Sequence, residues 1–492
     1  MIETLSRPRV TILVATLCLG GTVSALQQTI LVPVLPNLPR LLGTSADTVS
    51  WLVTATLLAA AVATPVASRL ADMYGKRTVM LCCLAVMVSG SLLGALTHDL
   101  VGAITARALQ GTGVALIPIG IAIMRDELPA PRVAMGVALM SATLAVGGGV
   151  GLPLAGLIVQ NADWHLLFWV TGGAGALTLV AVLVAVPRSP IRTGGAFDYW
   201  GAGLLSVALT ALLLALTKGS QWGWTSPGTL LCVLGGAVVL AGWVPLELRV
   251  RRPLVDLRIA GRPAVLLVNV AAVFTGFGMF ANPLLTTQML QSPLGTGYGH
   301  GLDAATAGLL LAPTSVAFGA AAPLSALLTR RYGAATTLCT GALCMGVGYV
   351  ARVWLSHDIG WIIAVSLLLS AGASLAFGAM PALVIRLVPA SETASANGLN
   401  ALLRSVGTSS SSAVVAAVAV IGAQQVGGVL YPGFGALLGV FWAAAGACLL
   451  AALAVVPLLL RRRLLTRPDA VSPSAGGTRS HRDSKPRCPA RS

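Results

Sequence analysis

The sequence predicts an all-α polytopic membrane protein of two six-helix bundles and two extra central helices, fourteen transmembrane helices in all. Of its 492 residues, 56% are hydrophobic and only 9% are charged, whereas about a quarter of the residues in a soluble domain are charged. Uninterrupted apolar runs of about twenty residues, the length of a membrane-spanning helix, recur along the chain. A short sequence between two such runs recurs in the second half, which indicates a duplicated bundle.

The runs are too long for a transmembrane barrel, whose strands alternate over about ten residues. Six runs form the first bundle, at 10–36, 50–70, 78–97, 100–124, 133–159 and 165–186. Two more follow at 200–217 and 227–246, and six form the second bundle, at 264–290, 304–328, 335–355, 360–388, 396–422 and 433–460. The predicted units are an N-terminal bundle over 10–186, a two-helix linker unit over 187–263, a C-terminal bundle over 264–460 and a disordered basic cytoplasmic tail over 461–492.

The repeated sequence is a short charged turn between the second and third runs. Residues 65–77 read P-V-A-S-R-L-A-D-M-Y-G-K-R, and residues 323–333 read P-L-S-A-L-L-T-R-R-Y-G. Proline, leucine, tyrosine and glycine fall at the same spacing in both: Pro65 and Pro323, Leu70 and Leu328, Tyr74 and Tyr332, Gly75 and Gly333. Two halves with one plan are typical of secondary transporters.

The basic residues indicate how the chain is oriented in the membrane. They cluster in alternate connections: Arg7 and Arg9, Lys76 and Arg77, Arg125 and Arg132, Arg188 and Arg192, residues 249–262, Arg330 and Arg331, and the tail. The intervening connections offer only Arg40, Lys218 and Arg352. The positive-inside rule therefore predicts that both termini are cytoplasmic. This distribution explains the net charge of +16 without a nucleic-acid partner.

Two ionisable side chains lie well inside predicted helices, where a charge is costly and usually functional. Arg107 shares a helix face with Gln110. Either Arg107 takes part in charge coupling within a water-filled cavity, or it is a structural arginine that ties loop carbonyls together. Arg404 either faces the cavity or extends its side chain towards the cytoplasmic surface. The sequence leaves both alternatives open.

Uncharged polar residues occupy corresponding runs of the two halves. Gln27 and Gln28 lie in the first run, and Asn269 and Gln288 lie in the ninth. With Arg404 they either line a central substrate cavity or form hydrogen bonds between helices.

The fifth run is rich in small residues. Gly147, Gly151 and Ala155 form one stripe along a helix, which permits close packing against a neighbour. Pro153 removes a backbone hydrogen bond and favours a bend.

No cluster of residues points to catalysis, a metal or a cofactor. Seven of the eight cysteines lie in apolar runs, so no disulfide framework or metal-ligand spacing is visible. The histidines at 98, 165, 300 and 357 are scattered over four outer connections. We therefore expect a protein that is not an enzyme and that needs neither a metal nor a cofactor.

Several motifs, in order along the chain, carry a resemblance to a known family. The turn S-R-L-A-D-M-Y-G-K-R resembles the signature of the major facilitator superfamily, usually G-x-L-A-D-x-x-G-R-R, and R-A-L-Q-G-T-G resembles its fourth-helix motif. G-L-P-L-A-G resembles the fifth-helix antiporter motif. Together with W-H-L-L-F, Q-W-G-W and the fourteen runs, the match is to the fourteen-helix drug:proton antiporter branch, over roughly residues 10–460.

This resemblance implies the major facilitator fold and a set of roles. It implies a conformational latch formed by Asp72, Gly75, Lys76, Arg77 and Arg125, proton-linked coupling at Arg107 and Gln110, and a bend at Gly147, Gly151, Pro153 and Gly156. It also implies a monomeric, multi-pass exporter of small hydrophobic compounds in a bacterial cytoplasmic membrane, driven by proton antiport with alternating access.

The chain also departs from the family pattern. Ser68 replaces the first glycine of the turn signature, and Leu152 displaces the proline of the fifth helix by one position. Relatives often read L-D-x-T-I-V-N at the end of helix one, whereas this chain reads L-Q-Q-T-I-L-V, with Gln27 in place of the acid. A neutral amide carries no proton and attracts no cation. Asp47, Asp303 and Glu392, near the cavity mouths, are then either proton carriers or helix caps and solvated loop charges. The alternative function is a proton-independent uniporter or importer of a small metabolite.

Overall fold

The computed structural model describes residues 7–31, 34, 38, 43–188, 194, 196–251, 253–418, 424–426 and 429–465. Fourteen long helices occupy most of this part of the chain. They are α1 (Arg7–Thr29), α2 (Trp51–Tyr74), α3 (Lys76–Leu96), α4 (Leu100–Glu127), α5 (Ala130–Asn161), α6 (Leu166–Ala185), α7 (Tyr199–Trp222), α8 (Pro227–Arg249), α9 (Pro263–Gln291), α10 (Ala304–Tyr332), α11 (Ala334–Leu355), α12 (Ile359–Leu387), α13 (Thr393–Val418) and α14 (Phe434–Leu465). The predicted tail beyond residue 465 lies outside the described residues.

Thirteen of the described helices are long and apolar enough to cross a membrane, and α13 is the exception. It carries Asn397, Asn400, Arg404 and the serines at 409–412. None of its described residues is exposed, so the other helices surround it. The polar composition of α13 therefore suits an internal position rather than one against lipid.

Helix pairing follows the same scheme in the two halves. In the first bundle α1 packs against α5 and α6, and α4 packs against α2 and α3, while α3 also contacts α6. In the second bundle α9 packs against α13 and α14, and α12 packs against α10 and α11, while α11 also contacts α14. The prediction of two six-helix bundles with two additional helices is confirmed.

The bundles meet through equivalent helices. The second helix of each bundle packs against the fifth helix of the other, because α2 contacts α13 and α10 contacts α5. The fourth helices repeat this exchange, with α4 on α13 and α12 on α5. The extra helices α7 and α8 pack together, and α7 lies against α2 and α13.

Glycines allow the closest helix pairs to form. A Cβ on Gly147 would lie 2.5 Å from the carbonyl oxygen of Thr22 in α1, and one on Gly151 would lie 2.1 Å from Oγ1 of Thr29. In the equivalent pair of the second bundle, a Cβ on Gly407 would lie 2.0 Å from the carbonyl oxygen of Val273. Larger side chains at these positions would force the helices apart.

Two basic residues predicted in connections lie inside helices. Because α7 extends to Trp222, Lys218 is a helical residue with 2% exposure, bonded to Ser50 and to Gln221. Arg352 lies within α11 and is fully buried. A short antiparallel ladder, Gln424–Val426 with Val429–Tyr431, also lies where the sequence predicts no strand.

Candidate functional site

The turn between α2 and α3 depends on a glycine, and we call this end of the helical assembly the Gly75 end. Gly75 has a φ of 110°, and Gly333, its counterpart between α10 and α11, has a φ of 94°. Residues other than glycine rarely adopt these positive φ angles. The repeated glycine thus has the same structural cause in both halves.

Asp72 forms a contact between the bundles at the Gly75 end. Its carboxylate is 1% exposed and accepts hydrogen bonds from the backbone N–H groups of Ala394 (3.2 Å) and Ser395 (2.8 Å) and from the Ser395 hydroxyl (2.7 Å). These N–H groups belong to the first turn of α13, where helix donors lack partners within the helix. Asp72 therefore caps a helix of the other bundle and complements its partial positive charge.

Arg125, in the last turn of α4, makes the complementary contact. Its guanidinium donates to the carbonyl oxygens of Val388 (3.0 Å) and Pro389 (3.1 Å), just beyond the C-terminus of α12, and to the Thr393 hydroxyl. A cation at the end of one helix and an anion at the start of the next both match helix partial charges. Asp72 and Arg125 together hold α12 and α13 against the first bundle.

The other charged residues of the turn bond within the first bundle. Lys76 forms an ion pair with Asp126 in α4, and their side chains are only 1% and 3% exposed. Arg77 donates to the Leu183 carbonyl oxygen at 2.6 Å, near the end of α6. Asp126 was not among the residues predicted from the sequence, although an acid directly after Arg125 at the end of an apolar run was a usable signal. Lys76 and Arg77 thus hold the turn against the first bundle, whereas Asp72 binds to α13 of the second bundle.

We expect Asp126→Asn to lower the free energy of unfolding by roughly 3 kcal/mol, because it leaves the buried Lys76 ammonium without its counter-ion. Thermal unfolding of the purified protein in detergent measures this loss. Glu127→Gln, the same chemical change one residue later, is the control and should cost less than about 0.5 kcal/mol. The double variant Lys76→Met with Asp126→Leu should recover most of the stability. Equal effects of Asp126→Asn and Glu127→Gln would contradict a structural ion pair.

Arg107 lies at the centre of a buried network that joins four helices. Its guanidinium donates to the carbonyl oxygens of Gln27 (2.7 Å) and Leu52 (3.3 Å) and to Oε1 of Gln110 (2.8 Å). The amide nitrogens of Gln110 and Gln27 donate to the Ser91 hydroxyl at 2.9 and 3.2 Å. Arg107 thus ties the end of α1 to the start of α2, which is the geometry of a structural arginine.

The five predicted cavity residues fall into two groups. Asn269 accepts a hydrogen bond from Asn400 at 3.1 Å, and Gln27 bonds to Ser91, so these two buried amides link helices. Gln28, Gln288 and Arg404 are half-buried. The Arg404 guanidinium carbon lies 3.9 Å from the centre of the Phe377 ring in α12.

The glycines assigned to the bend have different surroundings. Gly147 and Gly151 face α1, whereas a Cβ on Gly156 would meet nothing within 4 Å. Pro153 lies within α5, but its side chain is outside the described residues.

A second buried arginine was missed because it lies near the outer end of the predicted run 335–355 and was counted with the adjoining connection. Arg352 donates to the Ile362 carbonyl oxygen (3.3 Å), the Thr286 hydroxyl (3.3 Å) and the Met289 sulfur (3.5 Å). It joins three helices of the second bundle, as Arg107 joins helices of the first. Its place inside an unbroken apolar run was the available signal.

The candidate proton carriers lie at helix ends. Asp303 is exposed and accepts a hydrogen bond from the Thr306 backbone at the start of α10. Burial and the nearby Asp256 raise the pKa of Glu392, although Arg69 and Arg262 oppose this effect. The Asp47 side chain lies outside the described residues. In the part of the chain that the structure describes, no group of three His, Cys, Asp or Glu residues is arranged to hold a metal ion.

The profile of the Major Facilitator Superfamily matches residues 17–412. The multidrug resistance protein Stp of Mycobacterium tuberculosis is 30% identical over 389 residues, which cover 78% of this chain and 71% of that protein. The tetracenomycin C resistance and export protein of Streptomyces glaucescens is 27% identical over 418 residues, which cover 83% and 75% of the two chains.

Solved structures share the fold at low sequence identity. The human organic anion transporter MFSD10 superposes with a TM-score of 0.66 at 16% identity, over 92% of this chain and 100% of that one. The proton:xylose symporter XylE superposes with a TM-score of 0.64 at 12% identity, over 92% and 97% of the two chains. Identity at this level supports the architecture alone.

Proposed function

The chain belongs to the Major Facilitator Superfamily, and on that premise we propose that it exports small hydrophobic organic compounds by proton antiport with alternating access. The relatives that match most of its length include a multidrug resistance protein and an antibiotic export protein. Their names support an export function for this chain.

The contact between Asp72 and the start of α13 is the observation that carries this proposal. Alternating access needs contacts that form when one side of the chamber is closed and break when it opens. The bonds of Asp72 to α13 and of Arg125 to the α12–α13 connection join the two bundles at the Gly75 end. We assign these two residues to a latch that is closed in this structure, with Gly75, Lys76 and Arg77 shaping its support.

The Gly75 end is proposed to face the cytoplasm of a bacterial cell. The N-terminus of α1 and the basic residues Lys76, Arg77 and Arg125 lie at this end, which agrees with the positive-inside rule. Both termini are then cytoplasmic, and the closed latch seals the cytoplasmic side of the chamber. The proposed unit is a monomer, because one chain supplies both bundles.

The proton step is proposed to use acids at the helix ends. Every described acid lies in a first or last helical turn or in a connection, so none is available at the middle of a helix. Glu392 has a raised pKa and directly precedes the α13 turn that binds Asp72, so its protonation can act on the latch. Arg107 and Gln110 would transmit movement among α1, α2 and α3.

The absence of a mid-helix carboxylate in the described residues favours one competing function. A proton-independent uniporter or importer of a small metabolite would need no such group. The two functions differ in their dependence on the proton gradient.

Transport into everted membrane vesicles tests the proposal. Vesicles that contain the protein should accumulate a hydrophobic drug when the inside is acidified, and adding the drug should release protons from the lumen. Vesicles from the same host without the protein are the control. Transport of no drug in a broad panel, with no pH change, would contradict export. Flux that persists unchanged after collapse of the proton gradient would establish the uniporter instead.

A further inference from the structure

We propose that the central chamber selects compounds that carry a negative charge beside an aromatic ring, and that Arg404 is the residue that recognises the charge. This inference rests on the proposed export function, and it names the substrate class. It follows from the position of Arg404, from the absence of a hydrogen bond to its guanidinium among the described residues, and from the placement of the acids.

Arg404 lies deep within the protein. It is eleven residues into α13, which corresponds to about 16 Å of helix from Thr393. It is half-buried, and α13 has no exposed residue among those described. The neighbours of Arg404 include Gly276 of α9 and Phe377 of α12, and α13 also packs against α2 and α4 of the first bundle.

The Arg404 guanidinium differs from the other deep arginines in its bonding. Arg107 and Arg352 each donate to several carbonyl, amide or hydroxyl oxygens. Within the described residues, by contrast, the only interaction recorded for the Arg404 guanidinium is with the Phe377 ring. A guanidinium has five N–H donors, so Arg404 has donor capacity available for a ligand.

No described acid lies at the same depth as Arg404. The described acids inside long helices are Asp72, Asp126, Glu127 and Glu247, and each lies in the last turn of its helix. The electrostatic potential around Arg404 is therefore positive, and it favours an anion over a cation of the same shape.

The surroundings of Arg404 fit a planar anion. One face of the guanidinium is covered by Phe377, whose ring meets Phe318 of α10 edge-on at 6.0 Å. The N–H groups at the edge of the guanidinium can bind a carboxylate or phenolate in a bidentate manner. An aromatic ring next to that anion can pack on the second face of the guanidinium or beside Phe318.

An anionic substrate also explains how export can proceed without an acid at the centre of a helix. The membrane potential of a bacterium is negative inside, so an anion that leaves the cell moves down the electrical gradient. Relatives often carry an acid at the position of Gln27. Because the membrane potential itself drives export of an anion, replacement of that acid by Gln27 would not remove the driving force for transport.

Binding to the purified full-length protein tests the inference without requiring transport. The probes share one fluorescent ring system: pyrenebutyrate is anionic, pyrenebutanamide is neutral and pyrenebutylamine is cationic. We expect pyrenebutyrate to bind at least about tenfold more tightly than the amide, and the amine to bind most weakly. Arg404→Gln should abolish the preference for the anion while affinity for the amide changes by less than about twofold.

Arg404→Lys separates the charge from its geometry and guards against misfolding of the glutamine variant. It should keep part of the preference for the anion, because a lysine retains the charge but not the planar fork. Equal affinities for the three probes in the wild type, or an anion preference that survives in Arg404→Gln, would overturn the inference. If the anion preference holds but vesicles export no probe, the proposed function fails and the inference on binding stands.

Discussion

Asp72→Asn is expected to reduce export by about 10- to 100-fold while substrate affinity changes by less than about threefold. The carboxylate accepts three hydrogen bonds at the start of α13, and the two to backbone N–H groups use donors that the helix itself leaves without partners. An amide keeps the size of the side chain but loses the charge that complements the helix dipole. The closed state of the Gly75 end is therefore weakened, whereas the chamber is unchanged. Initial rates in everted vesicles and equilibrium binding to purified protein measure the two quantities.

Asp99→Asn is the matched control for this prediction. Asp99 also caps a helix, accepting a hydrogen bond from the Gly102 N–H at 2.9 Å, but it caps its own helix α4 at the opposite end of the first bundle. The same chemical change there should leave transport within about twofold of the wild type. Loss of substrate binding in Asp72→Asn, or equal transport defects in both variants, would show that Asp72 does not act as a latch.

Arg107→Met is expected to lower the free energy of unfolding by about 3–5 kcal/mol and to abolish transport as a consequence. The substitution leaves the carbonyl oxygens of Gln27 and Leu52 without their donor, and it frees Gln110 within a closed network. Arg107→Lys should recover little, because one ammonium cannot span the two carbonyl oxygens and the amide. Thermal unfolding in detergent measures the change.

Arg132→Met is the control for Arg107→Met, since Arg132 is an exposed arginine in the first turn of α5. It should alter stability by less than about 0.5 kcal/mol. If Arg107→Met unfolds like the wild type and loses only the proton dependence of transport, Arg107 is a coupling residue rather than a structural one.

The fold was predictable because its main determinants are local. Apolar runs of membrane length, the repeated turn and the alternating basic connections can all be read from neighbouring residues. The glycine of the turn was predictable for the same reason, since Gly75 and Gly333 both have backbone angles that favour glycine. Helix α13 was predicted as the run 396–422, but its internal position was not, because that position depends on how the other helices pack around it.

The contacts of the site were less predictable because they join distant parts of the chain. The motif places Asp72 near a helix end, but only the packing of α2 on α13 brings it to Ser395. The partner of Lys76 is Asp126, on a different helix, and the sequence gives no spacing rule for such a pair. Whether Gln27 and Asn269 line a cavity or link helices also depends on the residue that faces each of them. Both amides bond to a side chain on an adjacent helix.

Distance measurements across the Gly75 end test the latch most directly. Spin labels are attached to cysteines at Tyr74 and Arg386, which are exposed at the ends of α2 and α12, in a background without native cysteines. Double electron–electron resonance should show a short distance between the labels that matches this structure and a longer distance for the open state. Asp72→Asn should raise the population with the long distance, relative to the population with the short one, by about tenfold. A single distance that neither substrate nor Asp72→Asn alters would contradict alternating access controlled by this contact.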